Sequence, residues 1–538
     1  MVRPQLARFL GLLTLAALFA ANIGRTVSLG MQDYSPIWVL DAIPAALSDL
    51  AFGQRGDYAS LKVVSSTYYG YLSNHPHDSR GVAEAVRQVL SLDPSRMSRE
   101  TILLGGDDKG IVDFVKIAFR LFGYASERII VVYYLLLFIS IALLVLANGE
   151  TLLPQLIAGT FLAGHYLILP MVFFNLQLQS VLALRFLPVL GMMACLHCLF
   201  FVHRPDISSV KLAALAGQAA LLLFTVHLRS VAMWEIGVVM IYGAAAWTMS
   251  LFRPPSSNNG NRAVVLLPAG LLAAGLLALG GYRRLAYDER YLRGDQIATR
   301  PIWHNMLSGL AFDPVLADEY KFKVDDLSEL RAVGIYLTER GRIEEWKRMG
   351  GTSPGYSRIR WASYDPAARD FLFSIIRSQP GEFIAAFAKH RPLALIRQLS
   401  WLYGLRREIP DVAVFVSPEL GKAMEIQLTA LQKALDERGL RFVLWDRLAL
   451  FAILAFALVL SLDPRPPAES GWPPFLILAV GSLIPAFIGY PSMHTIAEPA
   501  LMIASLLYSS AAVALAGLVR LVRGKPLVSG DDTSGGNA

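Results

Sequence analysis

Ten stretches of this 538-residue chain are apolar over nearly the length that is needed to cross a membrane. A hydrocarbon core of about 30 Å requires roughly 20 mainly apolar residues in a helix. Because backbone polar groups in lipid must be paired within their own segment, the stretches predict an all-α polytopic membrane protein with about ten transmembrane helices. Their positions are 8–25, 128–147, 152–174, 180–202, 209–227, 231–251, 263–281, 444–462, 473–490 and 497–519.

The composition supports a membrane protein and argues against a nucleic-acid partner. Hydrophobic residues make up 54% of the chain and charged residues 17%, which is too apolar for an ordinary soluble enzyme. The formal charge of +7 is spread along the chain instead of forming a basic block. The first apolar stretch follows the basic segment MVRPQLAR, but no clear cleavage site comes after it, so we expect a retained anchor.

Lys and Arg residues in short connections mark the cytoplasmic side of a membrane protein. The short outer connections around 175–180 and 489–498 hold neither residue, and the one around 228–230 holds only Arg229. We therefore predict a protein of the inner, cytoplasmic membrane whose large loops face the periplasmic, outer side. With the amino terminus inside, the cytoplasmic side receives Arg3, Arg8, Arg204, Lys211, Arg253, Arg262, Arg465, Arg520, Arg523 and Lys525.

This topology divides the chain into a membrane core and two large outer segments. The second outer segment has the size of a small domain, and its helical periodicity predicts a mainly helical fold. The predicted parts are spans one to seven in 1–281 with a long first outer loop at 26–127, an outer-face domain at 282–443, spans eight to ten in 444–522, and a disordered cytoplasmic tail at 523–538.

The first outer loop contains an acidic pair in the segment GGDDKGIVDFVKIAFRLFG, residues 105–123. Apolar residues recur there at helical spacing, so 108–122 should form an amphipathic helix at the membrane surface. Asp107 and Asp108 stand at its amino terminus, where one carboxylate suffices as a cap. The helix terminus beside Lys109 also favours an ionised carboxylate that can accept a proton. The residues alone leave both roles open.

The segment DDKGIVDFVKIAFRLFG resembles the first outer loop of glycosyltransferases of the GT-C fold. This group uses polyprenyl-phosphate sugars and includes protein O-mannosyltransferases and the aminoarabinose transferases of lipid A. Its members have an Asp-Asp or Asp-Glu pair that opens a surface helix, and a soluble insert after the seventh span. The resemblance implies a GT-C-like fold and Asp108 or Asp107 as general base. About 80 residues separate the pair from the first span here, unlike in those families, so Asp33 is a rival base.

Two further outer connections offer groups for a lipid phosphate. HLRSVAMWE, residues 227–235, places Arg229 and Glu235 at the membrane boundary, and the planar guanidinium can engage two phosphate oxygens. Arg229 could instead be an interfacial arginine that extends its charge to water. We assign Lys109 to the same phosphate, and Glu235 to the substrate.

The late outer loop reads GYPSMHTIAEP, residues 489–499. The resembling families often have an arginine-tyrosine near a proline in this loop. Here His494 stands where a cation is expected, so we assign it to the lipid phosphate and Tyr490 to the substrate.

The outer-face segment opens with RPIWHNMLSGL, residues 300–310. Trp303 and His304 resemble a tryptophan-histidine pair of some bacterial members of the superfamily, which implies substrate binding; a structural aromatic-histidine contact is the alternative.

A metal site is not expected. The segment CLHC, 195–198, cannot direct consecutive helical positions at one ion. An ion held by Asp107 and Asp108 remains conceivable, because some oligosaccharyltransferases of the fold use a divalent metal.

The sequence thus predicts an inverting membrane hexosyl- or pentosyltransferase. The outer face has no ready supply of nucleotide sugars, so the donor would be linked to a lipid, and the resemblance implies a sugar on polyprenyl phosphate. The acceptor would be an envelope glycan, lipid or protein, and membrane lipids surround the site. Two alternatives are a polysaccharide ligase or polymerase that uses a lipid-pyrophosphate-linked glycan, and a lipid or solute transporter.

Overall fold

The structure is a computed structural model that is all-helical in the part it describes. Seven of the predicted site residues lie outside that part: Asp33, Asp107, Asp108, Lys109, His304, Tyr490 and His494. The described residues are 2–29, 42–52, 61–72, 74–75, 79–93, 110–124, 127–149, 151–174, 187–205, 207–252, 262–286, 361–403, 446–462, 472–488 and 497–523, with the single positions 303, 306, 310, 313, 315 and 316.

The helices follow one another without any strand in the described ranges. In chain order they are α1 (Val2–Leu29), α2 (Ala42–Phe52), α3 (Leu61–Leu72), α4 (Ser79–Leu90), α5 (Gly110–Phe122), α6 (Glu127–Ala147), α7 (Leu153–Phe174), α8 (Pro188–His203), α9 (Ser209–Leu228), α10 (Met233–Leu251), α11 (Leu267–Ala286), α12 (Trp361–Ser378), α13 (Pro380–Ala385), α14 (Arg391–Leu402), α15 (Arg447–Leu462), α16 (Trp472–Gly481), α17 (Ile484–Ile488) and α18 (Ala497–Val522).

Six helical segments of the described chain are long and apolar enough to cross a membrane, namely Pro4–Val27, Arg128–Ala147, Ser209–Leu228, Ser230–Leu251, Ala263–Ala286 and Ala497–Val522. Four shorter apolar segments lie at the other predicted span positions, at Leu153–Leu169, Pro188–His203, Arg447–Leu462 and Trp472–Ile488. The protein is therefore a helical protein with apolar membrane-type helices, and the count of ten spans stays a prediction.

The apolar helices pack in two neighbouring groups. One group consists of α1, α7, α15 and α18, and the other contains α6, α8, α9, α10 and α11. Polar side chains also link the helices: the Thr160 hydroxyl of α7 lies 3.0 Å from that of Ser505 and 2.7 Å from that of Ser509 in α18. Such small polar residues allow close approach and interhelical hydrogen bonds in membrane bundles.

The amphipathic helix predicted at 108–122 is confirmed as α5, Gly110–Phe122. Its buried face, which includes Phe114 and Ala118, packs against α2, α6 and α9, so one side of this helix is covered by protein. The helix ends at Gly123, whose φ of 88° is left-handed and whose N–H donates to the Phe119 carbonyl at 2.9 Å. A glycine is favoured there because it adopts this conformation without strain.

The predicted second outer segment is described mainly at 361–403, where a break separates two helices. The helix α12 ends at Ser378 and α13 begins at Pro380, since proline suits the first position of a helix. A π-helical turn, Ala386–His390, then joins α13 to α14, and no feature of the sequence had indicated it.

Candidate functional site

The first residue of α5 lies against the end of α9. A Cβ atom added at Gly110 would overlap the carbonyl group of His227 and would lie 2.8 Å from the backbone nitrogen of Leu228. Only glycine permits so close a backbone approach. The helix α5 therefore begins beside His227 and Leu228, the two residues before Arg229. In the sequence, Asp107, Asp108 and Lys109 directly precede α5.

Polar side chains hold α5 in this position. The Asp113 carboxylate lies 2.9 Å from Nε2 of His227 and accepts a hydrogen bond from Nζ of Lys116 at 3.1 Å. The ammonium group of Lys116 also pairs with Asp49 of α2, and the Tyr282 hydroxyl of α11 donates to Asp113 at 3.5 Å. One carboxylate thus links α5 to α9 and α11, and Lys116 extends the link to α2.

The electrostatics of these groups favour the charged forms. Burial alone raises the pKa of Asp113, but the hydrogen bond with His227 and the charge of Lys116 outweigh burial and lower this pKa to about 2. Burial likewise acts to lower the pKa of Lys116, and the contacts with Asp49 and Asp113 raise it above its ordinary value. Both groups are therefore ionised at neutral pH.

Arg229 occupies the break between α9 and the 3-10 turn Ser230–Ala232. Its backbone is extended, with φ −143° and ψ 110°, and its N–H donates to the Thr225 carbonyl at 2.8 Å. The side chain is half-buried, and its charge acts on the carboxylate of Glu498 in the first turn of α18. Nε1 of Trp234 donates to that carboxylate at 3.1 Å.

Glu235 is completely buried beside Glu498. A Cβ atom added at Gly191 of α8 would overlap the Glu235 carboxylate, so glycine makes room for it. Both carboxylate oxygens of Glu235 are buried, and neither accepts a hydrogen bond from the described residues. A buried polar group without a hydrogen-bond partner costs about 1 to 3 kcal/mol, which a bound polar group could offset. We call Arg229, Trp234, Glu235 and Glu498 the Arg229 cluster.

The outer segment contacts both sides of the late loop 489–496. Arg391, at the start of α14, is 1% exposed and donates to the carbonyls of Ile488 at 3.2 Å, Met306 at 2.8 Å and Phe487. The Tyr403 hydroxyl, just beyond α14, donates to the Ala500 carbonyl in α18. One helix therefore holds the residues on each side of this loop.

Arg391 is charged despite its burial. Burial lowers the pKa of its guanidinium to about 9, which still leaves it protonated at neutral pH. The guanidinium also stacks over the Phe387 ring of the π-helical turn at 3.6 Å, a cation–π contact that favours the charged form. The π-helical turn thus places the Phe387 ring against the guanidinium group of Arg391.

Of the sequence-predicted site residues, Arg229, Glu235 and Trp303 are described. The first two belong to the Arg229 cluster, whereas the Trp303 ring packs against Phe373 of α12 with 5.7 Å between centroids. Sequence reasoning missed Asp113, Lys116 and Glu498 as members of polar clusters. A signal was present for Glu498, since it is an acidic residue at the start of a long apolar run.

The described residues contain no group of three His, Cys, Asp or Glu side chains that could share a metal ion. Cys195 and Cys198 are free, buried thiols on α8. The Sγ atom of Cys195 lies 3.5 Å from the backbone carbonyl of Glu235, a contact between α8 and α10. The Cys195 thiol therefore contributes to helix packing beside the Arg229 cluster.

No protein-family model matches the chain, and no curated protein or solved structure matches it either. The similarity to GT-C glycosyltransferases therefore rests on the sequence motifs and the predicted topology. Because one fold can host many functions, the function has to be argued from the chemistry of the site.

Proposed function

We propose that this chain is a GT-C-like membrane glycosyltransferase with about ten spans. It transfers a sugar from a polyprenyl-phosphate-linked donor to an acceptor on the periplasmic face of the inner membrane. One observation carries the proposal: α5 begins against the last residues of α9, directly before Arg229. Asp108 precedes Gly110 by two residues in the sequence, which supports a proposed site that combines the acidic pair with the arginine.

The late loop supplies a second line of support. Trp234, five residues after Arg229 in the sequence, donates through Nε1 to Glu498 at 3.1 Å, and Glu498 follows His494 by four residues in the sequence. The proposal therefore groups the acidic pair, the arginine and the histidine at one end of the bundle. A transferase needs these three kinds of group together, namely a base, a cation for the phosphate and a further donor.

In the proposed reaction, Asp108 or Asp107 takes the proton of the acceptor hydroxyl. The hydroxyl oxygen attacks the anomeric carbon as the bond from that carbon to the phosphate oxygen breaks, and the configuration inverts. The electron pair leaves with the lipid phosphate. Arg229, His494 and Lys109 stabilise the negative charge that develops there. No metal is essential to this scheme, because these cationic and hydrogen-bonding groups stabilise the charge on the departing lipid monophosphate.

The substrate contacts are proposed from the remaining candidates. Glu235 offers buried carboxylate oxygens that can accept hydrogen bonds from sugar hydroxyls. Trp303, His304 and Tyr490 add aromatic surface and polar atoms from the outer segment and the late loop. The acceptor is an envelope glycan, lipid or protein that approaches from the outer face.

The test uses the full chain in proteoliposomes with a panel of polyprenyl-monophosphate sugars. Mass spectrometry should detect donor consumption and release of polyprenyl phosphate, and envelope glycans of cells without the protein should lack a sugar. Polymerisation of a lipid-pyrophosphate-linked glycan with no use of monophosphate donors would identify a ligase or polymerase instead. Movement of lipid or solute without transfer would identify a transporter.

Arg229→Ala tests the phosphate contact, with Arg128→Ala as the matched control, since Arg128 is an exposed arginine at the start of α6. We expect Arg229→Ala to weaken donor use at least tenfold while the protein still folds. A loss of expression that equals the loss of activity would leave Arg229 as an interfacial anchor.

A further inference from the structure

A cavity of about 70 Å³ opens beside the connection between α6 and α7, against α8 and the first turn of α9. Its polar lining consists of Asn148, Thr151, His197, Arg204 and Lys211. Lys211 lies near the start of α9, whereas His227 lies near its end. At a rise of 1.5 Å per residue the two are about 24 Å apart. The cavity and the Arg229 cluster therefore lie at opposite ends of α9.

The lining of this cavity suits an anion. His197 is 2% exposed, and its Nδ1 atom has no hydrogen-bond partner among the residues that the structure describes. A buried nitrogen without a partner costs about 1 to 3 kcal/mol, which a bound acceptor would recover. Arg204 and Lys211 bring two positive charges to the lining.

We propose that this cavity binds the phosphate of an anionic lipid headgroup. Basic cavities between membrane helices at the cytoplasmic boundary are suited to lipid headgroups, and the sequence predicts that Arg204 and Lys211 lie on that side. Arginine can engage two phosphate oxygens at once, and lysine adds a point charge. The site is separate from the proposed transferase site and does not depend on it.

The size and the walls of the cavity agree with a lipid phosphate. A cavity of about 10 to 15 Å³ can hold one water molecule, so this cavity has room for a phosphate group but not for a whole lipid. Phe200 and Phe201 lie beside the polar groups and give an apolar wall. The acyl chains of the same lipid would continue along the outer surface of the bundle.

The test measures lipid retention by the purified full chain with native mass spectrometry. Phosphatidylglycerol should be retained as one tightly bound molecule and phosphatidylcholine should not. The double variant Arg204→Ala/Lys211→Ala should lose at least tenfold in affinity for phosphatidylglycerol. The control Arg283→Ala/Arg284→Ala removes two arginines from the end of α11 and should retain the lipid. Equal retention of both lipids by the unaltered chain would overturn the proposal, as would unchanged affinity in the double variant.

A second arm separates lipid from dissolved phosphate. Inorganic phosphate at millimolar concentration should not displace phosphatidylglycerol, because it lacks the apolar contacts. Displacement would assign the cavity to a soluble phosphate and overturn the lipid proposal. The comparison of the two lipids uses the unaltered chain, so it decides the question even if the double variant does not fold.

Discussion

Nε2 of His227, the penultimate residue of α9, lies 2.9 Å from Oδ2 of Asp113 in α5. This pair joins a membrane-type helix to the amphipathic helix that follows the acidic pair. The backbone contact of Gly110 lies at the same junction. The position of the amino terminus of α5 therefore depends on the ion-paired carboxylate of Asp113 and on the absence of a side chain at Gly110.

The Asp113 carboxylate should make stability depend on acid. Its pKa is lowered from 3.8 to about 2 in the folded protein, so its contribution is present above pH 4 and is lost as the pH falls towards 2. The difference corresponds to about 2 kcal/mol. Asp113→Asn should lower Tm at pH 7 and remove part of the acid dependence, measured by thermal unfolding in detergent. The control Asp370→Asn, an exposed partner of Arg369, should change Tm little; equal effects would contradict the prediction.

Gly110→Ala should displace the start of α5, because the added methyl group would overlap the His227 carbonyl. We expect a lower Tm and a loss of sugar transfer. Gly237→Ala is the matched control: Gly237 lies in α10, and an added Cβ atom there meets nothing within 4 Å. Alanine favours a helix by up to about 1 kcal/mol over glycine, so this variant should be at least as stable as the unaltered protein. Normal transfer by Gly110→Ala would show that α5 tolerates the shift.

The three candidate bases can be separated by amide substitution. A general base typically contributes about two to four orders of magnitude in rate, whereas an N-cap contributes about 0.5 to 2 kcal/mol of stability. Asp108→Asn should leave a folded protein that binds polyprenyl phosphate but hardly transfers sugar. Asp107→Asn should have a milder effect, and Asp33→Asn a milder one again. If only Asp33→Asn abolishes transfer, the acidic pair serves as a helix cap.

Arg391→Ala should loosen the outer segment from the membrane helices. It leaves buried carbonyl groups of Phe487, Ile488 and Met306 without their donor, at about 1 to 3 kcal/mol for each group that stays unsatisfied. Limited proteolysis should then cut within 361–403 more quickly, and Tm should fall. Arg377→Ala, on the exposed side of α12, is the control. If the protease cuts both variants at the same rate, contacts other than those of Arg391 hold residues 361–403 in place.

Reporter fusions test the orientation on which the donor class depends. A reporter at residue 60 or 350 should be active only outside, and one at residue 256 or 530 only inside, because Lys and Arg residues favour the cytoplasmic side. Alkaline phosphatase and green fluorescent protein give opposite readouts and control for expression. Either large segment in the cytoplasm would remove the argument for a lipid-linked donor.

The helices were predictable because their signal is local. Within the described part of the chain, hydropathy located all six helical segments that are long enough to span a membrane. The 3.6-residue period located α5 to within two residues of its start. In each case the residues that determine the element lie within it.

The polar clusters were not predictable because they join distant segments. Asp113 and Lys116 occupy the polar faces of α5, and only packing brings Asp49 and His227 to them. Glu235 was recognised as a boundary residue, but its burial depends on Gly191 in another helix. The π-helical turn at 386–390 has the sequence AFAKH, which contains no glycine or proline. The sequence of this segment therefore gives no indication of a change in helix type.

The helix α14 fixes a distance as well as a position. Arg391 and Tyr403 stand at its two ends, and the helical rise of 1.5 Å per residue separates them by about 18 Å. One binds the chain before the loop 489–496 and the other binds it after the loop. The length of α14 therefore serves as a spacer for that loop, and the insertion of one helical turn would move one attachment point by about 5.4 Å while leaving every residue of the loop unchanged.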